Sequence, residues 1–153
     1  MTAQTITLTP AELLPHKPPM LLLTSCGTAD GERVTARCTV GEQCRLFQLP
    51  DGRYGTWMLI ELMAQTVGIY AGLKNRTAGS APRIGFLLGT RKFNVHTQYL
   101  AEGDVIDLSA ECIFYADSGL PSQFDCRAYI AGREIASANL TVYQPESTDA
   151  WKT

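Results

Sequence analysis

Residues 55–74, GTWMLIELMAQTVGIYAGLK, form the stretch that decides the fold. Their apolar side chains fall on every side of a helical wheel with about 3.6 residues per turn, so the sequence predicts a long, enclosed central helix. Two strongly polar side chains, Glu61 and Gln65, interrupt this pattern four residues apart and therefore lie on one face of the helix. A carboxylate in apolar surroundings is costly to desolvate unless it has a partner or a function. Glu61 is therefore the first candidate site residue.

Length, charge and hydropathy limit the class of protein. A chain of 153 residues, 45% of them hydrophobic, predicts one domain over residues 1–153 with its core over about 13–143. The 13 basic and 15 acidic residues form no run of like charge, which argues against nucleic acid or a membrane surface as a partner. The first ten residues lack the features of a signal peptide, and the apolar stretch around Glu61 is too short to cross a bilayer. We therefore expect a cytoplasmic protein.

The cysteine pattern predicts free thiols. The chain has an odd number of cysteines and no Cys-x-x-Cys pair, so it indicates neither a zinc site nor a complete set of disulfides. We expect buried thiols in a reducing compartment, and no metal or organic cofactor. The cysteines are Cys26, Cys38, Cys44, Cys112 and Cys126.

The predicted order of elements places two strands before the central helix and four after it. A capping box between Thr9 and Glu12 is typical of a short helix at residues 9–14, and two prolines hold the backbone beside His16 extended. The clearest strand covers residues 105–114, where apolar and polar side chains alternate. The six strands are predicted at residues 20–25, 33–40, 83–95, 105–114, 123–130 and 134–143.

The short turns between the last four strands favour an antiparallel sheet, so the predicted fold class is α+β. A sheet of six strands must wrap around the helix, because the helix is apolar on all sides. One such sheet offers too little cover for that helix, so we expect a second subunit, most simply in a homodimer.

Three short segments resemble motifs of one known family. Residues 14–23 read LPHKPPMLLL, residues 60–65 read IELMAQ, and residues 102–104 read EGD. They resemble the L-P-H-x-x-P opening, the I-E-x-L/M-A-Q helix signature and the P-G-D turn of the hot-dog fold dehydratases, which act on 3-hydroxyacyl groups held by acyl carrier protein. The resemblance implies a hot-dog fold, an antiparallel six-stranded sheet wrapped around one long central helix. Residues 55–61 contain no proline and resemble the dehydratase-like branch associated with bacterial aryl polyene clusters.

The chain departs from that family in the loop before the helix. Phe47, fourteen residues before Glu61, occupies the place at which housekeeping members carry their catalytic histidine in a G-H-F-P motif. The chain contains only two histidines, His16 and His96. Because His16 lies in a matched motif beside rigid prolines, we predict that it replaces the missing base and pairs with Glu61 at a dimer interface. His96 lies among polar residues and is the weaker candidate.

The resemblance implies dehydration of a 3-hydroxyacyl thioester. This reaction needs a base for the C2 proton, an acid for the C3 hydroxyl and donors that polarise the thioester carbonyl. We assign the base to His16 and the acid to Glu61. The peptide N–H groups of Gly55 and Thr56 are candidate donors to the carbonyl, since the first turn of a helix has unpaired N–H groups. The predicted substrate-binding residues are Gly55, Thr56 and Gln65, with Gln65 also orienting Glu61 by a hydrogen bond.

The resemblance also implies a partner. An acyl carrier protein is acidic and delivers its substrate on a phosphopantetheine arm, so basic side chains are expected to attract it. The candidate docking residues are Lys74, Arg76, Arg83, Arg91 and Lys92.

Two other functions stay open from the sequence. Hot-dog thioesterases also place an acidic residue on the central helix, where it activates water, so the fold alone does not separate hydrolysis from dehydration. The absence of a loop histidine also fits a non-catalytic, acyl-binding partner subunit of a dehydratase heterodimer. The second subunit is therefore either another copy of this chain or a related hot-dog chain.

Overall fold

The structure is a computed structural model, and residues 3–79, 85–116 and 120–145 are described. These residues form seven strands, two α-helices and a 3₁₀ helix. The α-helices are α1, Pro10–Leu13, and α2, Met58–Thr77, and the 3₁₀ helix covers Glu42–Phe47. The strands are β1 Gln4–Thr5, β2 Ser25–Ala29, β3 Arg33–Thr39, β4 Phe86–Val95, β5 Val105–Phe114, β6 Ser122–Ile130 and β7 Arg133–Tyr143.

One antiparallel sheet packs against α2. Its strand order is β1-β2-β3-β5-β6-β7-β4, and α2 contacts β3, β5, β6 and β7. This confirms the predicted α+β fold with an antiparallel sheet around one long helix, although the described sheet has seven strands instead of six. The additional strand β1 consists of two exposed polar residues that pair with Thr28 and Ala29, and it is too short to produce a hydrophobic period.

The central helix is buried on most of its surface but not on all of it. Met58, Leu62 and Ile69 are fully buried in the core, as the apolar pattern predicted. One stripe is only half-buried within the single chain, and its enclosure by a second subunit stays a prediction. The reason is that one sheet covers a helix from one side and leaves part of its far side uncovered. We call this stripe the open face of α2: it consists of Glu61, Ala64, Gly68 and Ala71.

The predicted strand at residues 20–25 is wrong, because β2 begins only at Ser25. Thr24, directly before β2, bonds to the Arg37 carbonyl of β3, but the two residues before it bond to a side chain of α2. The N–H groups of Leu22 and Leu23 donate to Gln65 Oε1 at 3.0 and 3.3 Å. Both leucines are buried although they are adjacent in the chain, so an apolar run without alternation was mistaken for a strand.

The short helix α1 forms as predicted. Thr9 is its N-cap, and its side chain accepts a hydrogen bond from the Glu12 N–H at 3.3 Å. The Glu12 carboxylate accepts from the Thr9 N–H in return, at 3.1 Å, which completes the capping box. This cap fixes where the chain turns toward α2.

The five cysteines are free thiols, as predicted. Cys38, Cys44 and Cys126 are buried. The prediction that all five are buried was wrong for Cys26 and Cys112, which are partly exposed. Cys26 lies on β2 and Cys112 near the end of β5, and both positions fall outside the most deeply buried part of the sheet.

The described residues contain neither a candidate membrane-spanning helix nor a candidate metal-binding cluster. Within residues 3–79, 85–116 and 120–145, no helix combines the length and the apolar character needed to cross a membrane. In the same ranges, no group of three or more His, Cys, Asp or Glu side chains could hold a metal ion. Arg83, at the start of the predicted strand 83–95, lies outside the described residues, and β4 begins at Phe86.

Candidate active site

His16 and Glu61 lie side by side in one chain. The His16 Nε2 atom is 3.7 Å from Glu61 Oε1, and the two side chains are 31% and 29% exposed. This distance is longer than a hydrogen bond, but both groups can reach neighbouring atoms of one small molecule. The structure brings the two side chains together within a single chain, and their position at a dimer interface stays a prediction.

Two glycines of α2 let the chain before His16 approach the helix. A Cβ atom at Gly72 would lie 2.3 Å from the carbonyl oxygen of Leu13. A Cβ atom at Gly68 would lie 2.6 Å from Cδ2 of Leu14. At Gly72 only glycine leaves room, because the obstacle is backbone, whereas at Gly68 the obstacle is the end of the Leu14 side chain, which can rotate. The two buried leucines therefore fix the point from which His16 reaches the helix.

Gln65 holds Glu61 in place. Its side chain is fully buried, and its Nε2 donates to Glu61 Oε1 at 2.9 Å and to the Met20 carbonyl at 2.7 Å. Its Oε1 accepts from the backbone N–H groups of Leu22 and Leu23. The expected hydrogen bond between Gln65 and Glu61 is present, and burial keeps Gln65 itself away from a substrate. Gln65 thus links the Glu61 carboxylate to the backbone of residues 20–23.

A cavity of about 170 Å³ contains both groups. Nε2 is the nitrogen of His16 that is available there, because Nδ1 is buried and has no hydrogen-bond partner among the described residues. The arrangement places an imidazole nitrogen and a carboxylate beside each other on an apolar space, which suits acid–base chemistry on an apolar substrate. Other residues that line the cavity are Leu13, Ala64, Val67, Ala71, Leu87 and Val142.

The small residues of the open face were not predicted as part of the site. Ala64, Gly68 and Ala71 follow Glu61 at intervals of three, four and three residues, which places them on its side of α2. Because their side chains are small, they leave the space that the cavity occupies. Their spacing is visible in the sequence and is the signal that would have identified this wall.

Gly55, Thr56 and His96 do not line this cavity. The Gly55 N–H donates to the Phe47 carbonyl at 3.2 Å, so this group is already engaged within the chain. A Cβ atom at Gly55 would lie 2.1 Å from the Trp57 indole, so glycine at this position makes room for that ring. A role for Thr56 in binding the thioester carbonyl stays a prediction. His96 is exposed and follows the end of β4.

A polar cluster holds the loop that lacks the histidine. Tyr54 is fully buried, and its hydroxyl donates to Glu102 Oε2 at 2.6 Å. Arg45 Nη1 donates to the same carboxylate at 2.8 Å and also to the Tyr54 hydroxyl. The hydrogen bonds from Arg45 and Tyr54 lower the pKa of Glu102 below its usual value. The EGD turn at residues 102–104 therefore fastens this loop to the start of β5.

The candidate docking residues lie on two separate elements. Lys74 and Arg76 are exposed near the end of α2. At about 1.5 Å per residue, they lie about 20 Å along the helix from Glu61. Arg91 and Lys92 are exposed on β4, which is an edge of the described sheet. The structure therefore does not gather the four side chains on one element beside the cavity.

Comparison with known proteins identifies the family of this chain. The sequence profile of ApeP-like proteins, described as ApeP dehydratase, matches residues 8–153. No curated protein sequence matches the chain. The profile match extends over nearly the whole chain and includes His16, Glu61 and Gln65.

Solved structures agree in fold. The chain is similar to a chain of the dehydratase heterocomplex ApeI:P from Xenorhabdus doucetiae, with a TM-score of 0.88 and 25% identity over 96% of this chain and 97% of that chain. It is also similar to a mutant of a hypothetical thioesterase from Streptococcus pneumoniae TIGR4, with a TM-score of 0.57 and 16% identity over 78% of this chain and 88% of that chain. The E. coli PaaI protein from the phenylacetic acid degradation operon is similar with a TM-score of 0.57 and 11% identity, over 77% of this chain and 80% of that chain. The last two share the fold alone. With its site geometry, fold and profile match in agreement, the chain belongs to the ApeP-like dehydratase family of hot-dog proteins.

Proposed function

We propose that the chain removes water from a 3-hydroxyacyl thioester carried on the phosphopantetheine arm of an acyl carrier protein, in fatty acid or aryl polyene type biosynthesis. The observation that carries this proposal is the 3.7 Å separation of His16 Nε2 and Glu61 Oε1 on one apolar cavity. Membership of the ApeP-like dehydratase family supports the reaction class. The apolar walls of the cavity suit an acyl chain.

The two groups act on neighbouring carbon atoms. His16 Nε2 removes the C2 proton, and the electrons of the C2–H bond form the C2=C3 double bond. The C3–O bond breaks, and the departing oxygen takes the proton of Glu61 and leaves as water. Because C2 and C3 are bonded to each other, the base and the acid must lie side by side, which the 3.7 Å separation allows. Return of the proton from His16 to Glu61 restores the starting state.

Gln65 supports the reaction without touching the substrate. Its Nε2 donates to Glu61 Oε1, so Oε2 is the oxygen that carries the acidic proton. The same side chain holds the backbone at Leu22 and Leu23, and so limits movement of the segment that carries His16. The Thr56 N–H, just before α2, is the proposed donor to the thioester carbonyl.

A direct assay separates this function from thioester hydrolysis. The purified chain is incubated with a 3-hydroxyacyl pantetheine thioester and, in parallel, with the plain acyl thioester. We expect enoyl absorbance from the first substrate and no free thiol from the second. Thiol release without enoyl formation would indicate a thioesterase and contradict the proposal. His96→Ala is the matched control for His16→Ala, because His96 is exposed and lies outside the cavity.

A second candidate function has its own support. Phe47 occupies the place of the loop histidine, and the chain is similar to a subunit of a dehydratase heterocomplex. Within the described sheet β4 is an edge strand, and its Leu87 and Leu88 are 41% and 56% exposed. We propose that a second hot-dog subunit pairs along β4. If that subunit is a competent dehydratase, this chain is its non-catalytic, acyl-binding partner.

The activity of the complex separates these two functions. We expect Glu61→Gln in this chain to abolish enoyl formation by the complex, because this chain supplies the acid. A complex that keeps full turnover after that change, and loses it when the partner's acidic residue is replaced, would assign the chemistry to the partner. A clean monomer in sedimentation at micromolar concentration, with no second subunit copurifying, would contradict both forms of dimer.

A further inference from the structure

A second cavity adjoins the one that contains His16 and Glu61. It measures about 220 Å³ and lies between the later turns of α2 and the ends of β5, β6 and β7. The two cavities have five lining residues in common, so they are neighbours, and we call these shared residues the boundary. On α2 these shared residues are Val67, Ala71 and Asn75, and at the end of the sheet they are Val142 and Gln144.

The combined space leads away from the catalytic pair along the helix. Glu61 lines only the first cavity, whereas Asn75, fourteen residues later, lines both. At about 1.5 Å per residue, this separation is about 21 Å. Lys74, next to Asn75, and Tyr115 also line the second cavity, and Lys74 Nζ lies 5.0 Å from the centre of the Tyr115 ring. Together the two volumes fall within the range of about 300–1,000 Å³ that ligand sites occupy.

Ala71 and Val142 are the boundary residues at which a larger side chain is most easily introduced. Val67 and Asn75 are buried, and Asn75 Nδ2 donates to Gln144 Oε1 at 3.4 Å. Ala71 and Val142, in contrast, are half-buried and project from two different elements, α2 and β7. Ala71 has the smallest side chain of the shared residues, so a larger side chain there adds bulk between the two cavities.

We propose that the acyl chain of the substrate passes from the catalytic pair through this boundary into the second cavity, and that Ala71 and Val142 set the longest acyl chain that the enzyme accepts. The substrate class rests on the proposed function. Two observations favour an acyl chain as the occupant: the catalytic pair lines the first cavity, and the walls of that cavity are mainly apolar. The second cavity has polar and apolar walls in about equal measure, and its apolar part includes Val67, Phe124 and Val142. Extra bulk at the boundary should therefore exclude long chains and leave short ones unaffected.

The test compares four variants over a series of chain lengths. Values of kcat/KM are measured for pantetheine thioesters from 3-hydroxybutanoyl to 3-hydroxyhexadecanoyl. Ala71→Leu and Val142→Phe should keep the shortest substrate within about threefold of wild type and lose about tenfold or more with the longest. Ala64→Leu, which lines only the first cavity near Glu61, should reduce turnover at every length. Thr77→Leu is the matched control, because Thr77 is exposed on α2 and lines neither cavity.

Binding of unreactive ligands gives a second readout. S-alkyl pantetheine thioethers carry the same chains but cannot be dehydrated. We expect their affinity for the wild type to rise with chain length, and to stop rising at a shorter length in Ala71→Leu. This binding pattern without any enoyl formation would refute the proposed function and still support the role of Ala71. An equal loss at every chain length, or an unchanged length preference in both boundary variants, would overturn the proposal.

Discussion

On one face of α2, Leu59, Leu62 and Ile69 are fully buried, whereas on the open face Glu61 and the small residues after it are half-buried beside a cavity. Large apolar side chains fill space on the first face, and small ones leave space on the second. The helical period separates the two, so residues next to each other in the chain have different functions. The comparison predicts that changes on the buried face alter stability, and that changes on the open face alter activity.

The largest effect is expected on the open face, from Glu61→Gln. Loss of the proton donor should reduce kcat by about a hundredfold to ten-thousandfold. The free energy of unfolding should change little, because the new amide oxygen still accepts from Gln65 Nε2. Enoyl formation and chemical denaturation measure the two quantities on one preparation. Activity within about tenfold of wild type would remove Glu61 from the mechanism.

The adjacent residue on the buried face should behave in the opposite way. Leu62→Ala leaves a cavity at a fully buried position and should lower the free energy of unfolding by about 2–5 kcal/mol. The kcat of the folded protein, measured well below the unfolding transition, should stay close to wild type. Unchanged stability would mean that Leu62 is not part of the packed face, and the distinction between the two faces would be lost.

Gln65 joins the two faces and should show both effects at reduced size. Gln65→Leu leaves buried backbone N–H groups at Leu22 and Leu23 unpaired, which should lower the free energy of unfolding by about 1–3 kcal/mol. Looser positioning of Glu61 should reduce kcat by about tenfold. Thr66→Val is the matched control, because Thr66 is equally buried and bonds only to the Leu62 carbonyl of its own helix. Equal effects of both changes would argue against a positioning role for Gln65.

The smallest effect concerns docking of the carrier protein. If the acyl chain extends toward Asn75, the carrier must approach from the His16 end, away from Lys74 and Arg76. Arg91 and Lys92 are the other predicted docking pair, so charge reversal of both should raise KM for a carrier-bound substrate by about threefold to tenfold at low salt. This variant should keep the KM for the free pantetheine thioester and the sedimentation coefficient of the wild type. Charge reversal of Lys74 and Arg76 is the matched control. A larger effect from that last pair would reverse the direction proposed for the acyl chain.

Local patterns explain which features were predictable from the sequence. The long helix follows from its apolar period, and Glu61 was identified because a carboxylate is anomalous in such a helix. The hydrogen bond between Glu61 and Gln65 follows from their spacing of four residues. The same holds for the α1 capping box, whose partners are three residues apart. Each of these depends on residues within one or two turns of each other.

Features that depend on distant contacts were missed or mistaken. Gln65 holds Leu22 and Leu23 from more than forty positions away, and these bonds replace the strand predicted at residues 20–25. A helix that is apolar on all sides gives no signal of which side the sheet leaves uncovered, so the open face was not foreseen. The placement of His16 beside Glu61 in one chain depends on how closely α1 packs on Gly68 and Gly72, which is also a long-range contact.

The central claim is that His16 and Glu61 act as one catalytic unit on the open face of α2. A double-mutant cycle tests it most directly, with kcat for enoyl formation measured for the wild type, His16→Ala, Glu61→Gln and the double variant. We expect His16→Ala alone to cost about a hundredfold, and the double variant to be within about threefold of the slower single variant, because either loss disables the same unit. Losses that multiply in the double variant would show that the two residues act independently and contradict the claim.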